Sequence, residues 1–148
     1  MTERELFELA HWITQAGLAG EDESATLTGF CERLNALGIP LTRGNIVIDT
    51  LHPVYQGRAF TWKRQTRATA LTEYGRSESQ LGRWEHSPFY ALEKSGDPFL
   101  RRRVNLLTAK EFPIFPELLE QGITDYLAIA SRFAGAGVIG DMDCAYSS

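Results

Sequence analysis

His52, Tyr55, Arg58, Phe60 and Trp62 lie close together in the stretch DTLHPVYQGRAFTW. An imidazole, a phenol and a guanidinium beside two large apolar rings are the ingredients of a small-molecule pocket. They are equally the inner face of a β-hairpin. Further on, Trp84, His86, Phe89 and Tyr90 surround the phrase SPFY, and Tyr126 lies on a late strand-like run. These residues are candidate pocket lining, with the hydrophobic core as the alternative. Arg101 and Arg103 flank Arg102 in LRRRV. On a strand they share a face, where two guanidinium forks could hold a phosphate or carboxylate, or line a solvated or partner-facing edge.

Other chemistries find less support. Asp141 and Asp143 stand two apart and would share a strand face, as a metal or acid–base pair or as a solvated face. The three histidines, His11, His52 and His86, show no HExxH spacing, so no metal site is assigned. No GxSxG elbow, P-loop or Rossmann fingerprint occurs, and Cys144 has no neighbouring histidine. Cys31 and Cys144 make neither a disulfide framework nor a zinc motif, and read as buried thiols.

The elements that must position these residues are legible in outline. Thr2 and Glu5 form a capping box, with Leu6, Leu9, Ala10, Ile13 and Ala16 at helical spacing and Gly17 as the stop. A second helix carries Leu27, Phe30, Cys31, Leu34 and Leu37 on one face and ends at Gly38. The period then changes. NIVIDTL and GRAFTWKR read as strands joined through HPVYQG. In the second strand, Phe60 and Trp62 fall on one side, Ala59 and Thr61 on the other. TRATALTEYG suggests a further strand, and RSESQLGRWEH a loop. SPFYALEKSG reads as a short helix with Ser87 as N-cap, Pro88 at the first position and Gly96 as stop. FLRRRVNLL is a strand. FPELLEQG is a helix with Pro116 at its first position and Gly122 past its end. TDYLAIASRF and GVIGDMDCAYSS form a last hairpin through AGAG. Strands joined by tight turns run antiparallel. The expected fold is α+β: two N-terminal helices over residues 3–37, then an antiparallel sheet body with flanking helices over residues 39–148. All 148 residues form one domain.

The bulk numbers exclude several classes. A net charge of −4 argues against a broad basic surface for nucleic acid. No apolar run approaches the roughly 20 residues of a membrane span, and no signal sequence is visible, so a cytoplasmic location is expected.

Taken together, the phrases GFCERL, IDTLHP, GRAFTW, SPFY, ITDYLA and DCAYSS resemble the N-terminal region of a group of bacterial class III adenylate/guanylate cyclases, of the type found in rhizobia. The resemblance spans essentially the whole chain. It implies a regulatory or sensory module similar in layout to GAF and PAS domains, followed in the full protein by a C-terminal cyclase domain. The end at Ser148, directly after an apparent strand, fits a piece of a longer protein. Class III catalytic domains carry metal-binding aspartates, the first in an FxDxxGFT-like segment. Asp49 and Asp141 lack that context, so no catalytic residue is transferred. The expectation is a non-catalytic sensory and dimerisation domain that binds an unidentified small ligand and controls cyclic-nucleotide synthesis as a homodimer. The N-terminal helix would serve as dimer contact or signalling element. A ligand-free dimerisation scaffold is the alternative, and a small stand-alone enzyme a third reading.

Overall fold

A capping box opens the chain. In the computed structural model, which describes residues 1–49, 57–75, 78–132 and 139–146, the Thr2 hydroxyl accepts from the Glu5 amide. The Glu5 carboxylate accepts in return from the Thr2 amide at 2.6 Å. Helix α1 then runs over Glu3–Leu18, and α2 over Glu23–Ala36 with Asp22 as its N-cap. The first helix passes through Gly17, the expected stop. It ends where Gly20 takes φ 72, a conformation that costs glycine little.

Six strands follow: β1 (Leu41–Asp49), β2 (Gly57–Lys63), β3 (Ala68–Tyr74), β4 (Phe99–Arg103), β5 (Asp125–Arg132) and β6 (Ile139–Tyr146). They form one antiparallel sheet in the order β3-β2-β1-β6-β5-β4. The pairing of β1 with β6 joins the N-terminal three strands to the C-terminal two hairpin strands and β4. Three short helices are interleaved: α3 (Glu78–Glu85), α4 (Pro88–Ser95) and α5 (Phe115–Glu120). The segment read as a loop before SPFY is therefore partly helix. Arg83 in its last turn suits the helix dipole, and Trp84 packs against the core beside Phe89. A single anchoring ring leaves almost no periodicity to read. At α5 the boundary moves by one residue, with Phe115 leading and Pro116 next.

The strand period of two sends alternate side chains to opposite faces. Ile46, Ile48, Phe60 and Trp62 face α1 and α2, packing with Leu9, Leu27, Cys31, Leu34 and Leu41. Two glycines permit this approach. A Cβ on Gly44 would lie 2.5 Å from the Cys31 sulfur, and one on Gly29 would lie 2.7 Å from the Trp12 ring. Arg33 stacks over the same indole, 3.7 Å from the ring centroid. α2 is held towards β3 by the Thr28 and Thr69 hydroxyls, 2.8 Å apart, and by Glu32 with Arg67.

The opposite face packs Val47, Leu100, Tyr126, Ala128 and Ala130 beneath α4, α5 and the segment leading into α5. Arg43 on β1 reaches Glu117 of α5 at 3.1 Å. α1 departs from its expected face. Leu9 and Ala16 are buried, whereas Leu6, Phe7, Ile13 and Leu18 are exposed, because the helix leans on the flank of α2 instead of on the sheet. No described helix is long and apolar enough to cross a membrane.

Candidate functional site

The described cavity lies at the start of α4. Ser87 caps this helix by accepting from the Tyr90 amide at 3.2 Å, and Pro88 presets its first turn. That geometry turns Phe89 into the core and leaves Tyr90 half-buried at the rim. Facing it is the chain from Asn105 to Pro116. Here Asn105 Oδ1 accepts from the Leu107 and Thr108 amides, at 2.8 and 3.2 Å. The Thr108 hydroxyl donates to the Arg103 carbonyl at 2.6 Å. Arg102 donates to Glu111 at 2.6 Å and ties the segment to β4. In FPIFP, Phe112 and Phe115 both enter the core, meeting edge to face at 5.2 Å. Pro113 and Pro116 are left on the outside.

Between these walls is a cleft of about 540 Å³, open to solvent along one side. Tyr90, Ala91, Phe112, Pro113 and Pro116 give it an apolar wall. Glu85, His86, Ser87, Lys110 and Glu111 supply polar groups. His86 Nδ1 lies 2.7 Å from the Gly82 carbonyl and donates to it. Lys94 sits 5.3 Å from the Tyr90 ring centroid on the helix exterior. This volume and this ratio of apolar wall to polar groups suit a small organic ligand. Among the described residues no cluster of three His, Cys, Asp or Glu is placed to hold a metal.

The sequence candidates are distributed over four places. His86 and Tyr90 line the cleft, with Trp84 and Phe89 stacked at 6.3 Å behind it and Tyr126 deeper in the same cluster. Phe60 and Trp62 do not join them. They lie across the sheet, at 2 % and 1 % exposure, because even-numbered residues of β2 face α2. Arg58 is on that side too, its guanidinium 5.3 Å from the Phe60 ring and 3.6 Å from Glu73. Arg101 and Arg103 do share a strand face. What they grip is Asp125, buried on the neighbouring strand, at 3.3 and 2.7 Å. His52 and Tyr55 lie outside the described residues, as do the side chains of Asp141 and Asp143.

Lys110, Glu85, Phe112 and Pro113 were not singled out from sequence, and Pro116 was read only as a helix start. The repeated Phe-Pro pair in FPIFP was the signal available. Two phenylalanines three apart share one side of a turn, which leaves the prolines between and after them to a neighbouring surface.

No protein-family profile matches the sequence, and no curated protein matches it. Solved structures do resemble the fold. The chain is similar to the GAF domain of a two-component sensor histidine kinase from Bacillus halodurans, at 10% identity and TM-score 0.51, over 80% of this chain and 71% of that one. It is also similar to the phycoerythrobilin-bound GAF domain of a cyanobacterial phytochrome, at 12% identity and TM-score 0.54, over 100% of this chain and 83% of that one. The α+β architecture, an antiparallel sheet with helices on both faces, is thus a GAF-like fold.

Proposed function

We propose that this chain is a non-catalytic sensory module that binds a small organic molecule in the cleft beside α4. The cleft itself, with Tyr90, Phe112 and two prolines as wall and His86, Glu85 and Lys110 at its margin, is the observation that carries this reading. The GAF-like fold supports it, since one of the similar domains was solved with a small molecule bound.

The module acts in a longer protein as a homodimer that regulates a class III nucleotide cyclase domain. Support for this part is the set of sequence phrases from GFCERL to DCAYSS. Class III sites are built between two catalytic domains, so the arrangement of a dimer is a natural control variable. A ligand shifts that arrangement only by binding one form more tightly than the other. The exposed apolar residues of α1, Leu6, Phe7, Ile13 and Leu18, support this helix as the element that passes the signal on.

Mass spectrometry of the purified chain under native and denaturing conditions is the test. An additional small-molecule mass that is lost on denaturation, and lost from a Tyr90→Ala variant, is the expected result. A chain that carries no mass and gains none from a metabolite extract would overturn the ligand reading. The alternative, a ligand-free dimerisation scaffold, draws on one observation: most of the aromatic candidates, Phe60, Trp62, Phe89 and Tyr126, are core.

A further inference from the structure

The two edges of the sheet are built differently. β4 is five residues long and carries Arg101, Arg102 and Arg103, charges that repel an incoming strand. β3 is seven residues long, reads ATALTEY, and has a strand on one side only among the described residues. Every β3 residue but Thr69 is exposed, including Leu71 at 45% and Tyr74 at 39%. Its one charge, Glu73, faces Arg58 on the neighbouring strand β2. It contains no proline and no lysine, and no described strand pairs with its outer edge. Long, exposed, low-charge edges of this kind pair with another strand.

We propose that β3 is the pairing edge of a homodimer, joined antiparallel to β3 of a second copy so that the two sheets become one. This rests on the reading that the chain works as a pair, and assigns the surface. The strand is complementary to itself in one register. With Leu71 on the two-fold axis, Ala70 faces Thr72 of the second copy, Thr69 faces Glu73, and Ala68 leaves room for Tyr74. Glu73 never meets its own copy. Its diagonal neighbour across the junction is Arg67 of the second copy. Arg67 lies on the same sheet face and already holds Glu32 at 3.2 Å. Long side chains reach such diagonal positions. Each copy thus offers one acid and one base to the other, two oppositely charged pairs related by the axis.

Two measurements test it. Sedimentation velocity over a dilution series should show a dimer for the parent chain and only monomer for Leu71→Lys, an exposed substitution that leaves the fold intact by circular dichroism. In a Cys144→Ser background, where the remaining Cys31 is buried, Leu71→Cys should give a disulfide-linked dimer under mild oxidation. Ala68→Cys, whose mate lies far along the strand in this register, should not. A parent chain that is monomeric throughout would overturn pairing altogether, and with it the dimer part of the proposed function. A dimer that survives Leu71→Lys but is lost with Phe7→Glu would overturn only this edge and move the contact to α1. Cross-linking by Ala68→Cys alone would overturn the register.

Discussion

On the α1–α2 face of the sheet, Trp62 and Phe60 are sealed beneath Leu27, Cys31 and Leu34. On the other face, Phe115 and Tyr126 are sealed equally well, yet Tyr90 and Phe112 stand where that cluster meets open space. The aromatic content is similar and the outcome differs. On the first face, one regular helix lies flat against the sheet and seals the centre of that face, Phe60 and Trp62 included. On the second, three helices of eight, eight and six residues and an irregular segment share the cover. Their junction is the cleft. A patchwork of short elements makes pockets where a long helix makes a core.

The largest effect should come from emptying the closed face. Trp62→Ala removes a side chain that is 1% exposed and should cost roughly 3–5 kcal/mol, read from urea unfolding. Ligand capture at the cleft should persist in whatever folded fraction remains. Trp62→Phe sharpens the point. The indole nitrogen is buried with no acceptor among the described residues, so its removal relieves an unpaired donor and offsets part of the lost volume. A Phe variant as damaged as the Ala variant would mean that the indole N–H is satisfied in solution.

Gly44 offers a second way to break that face. An alanine there would press its methyl group on the Cys31 sulfur and should cost about 1–3 kcal/mol. Adding Cys31→Ala should recover much of the loss, because the two sites share one contact. Simple addition of the two costs in denaturant unfolding would show that the contact is not what limits Gly44.

The same contrast explains what sequence could and could not tell. The long elements were legible: the capping box of α1, the face of α2, the alternation in β2 that separates Phe60 and Trp62 from Ala59 and Thr61. Ser87, Pro88 and Gly96 marked α4 at both ends. What failed was long-range. Nothing in NIVIDTL announces that β1 pairs with β6, almost a hundred residues on, and pattern within one segment carries no such information. The spread of the pocket candidates has the same origin. Aromatic type is visible in sequence, but the side of the sheet on which Trp62 and Trp84 finish depends on how the strands assemble. The exposure of Leu6 and Ile13 on α1 was not readable, because helical spacing shows that a face is apolar, not whether something covers it.

A smaller effect is expected at Asp125. This carboxylate is 2% exposed and is satisfied by Arg101 and Arg103. Asp125→Ala should cost about 1–3 kcal/mol, since it leaves a buried gap but only exposed, hydrated guanidinium groups behind. Arg101→Ala alone should cost much less, as Arg103 retains the shorter bond. If both arginine variants match Asp125→Ala in unfolding, the pair serves as a buried network and not as a surface clamp.

At the open face, Tyr90→Ala and Lys110→Ala should leave the unfolding midpoint nearly unchanged while abolishing or weakening ligand capture, the reverse of Trp62→Ala. Both residues border solvent, where substitutions usually move stability by no more than about half a kcal/mol. Should Tyr90→Ala instead destabilise the protein as a core truncation does, the cleft would be a packed seam and the distinction between the faces would fall.

The smallest effect belongs to the capping box of α1, outside both faces. Hydrogen bonds from the Thr2 amide and then the Thr2 hydroxyl hold the Glu5 carboxyl below its ordinary pKa. A carboxylate lowered in the folded state contributes stability that is complete above the ordinary glutamate value. That contribution is lost as pH falls through the lowered value. Backbone amides in the first turn of α1 should therefore lose protection from hydrogen exchange in that acid range, before the sheet amides do. Glu5→Gln keeps a hydrogen-bonding side chain without the charge, so its first turn should exchange faster at neutral pH and show little acid dependence. Equal acid dependence in the two proteins would show that Glu5 is not the titrating group.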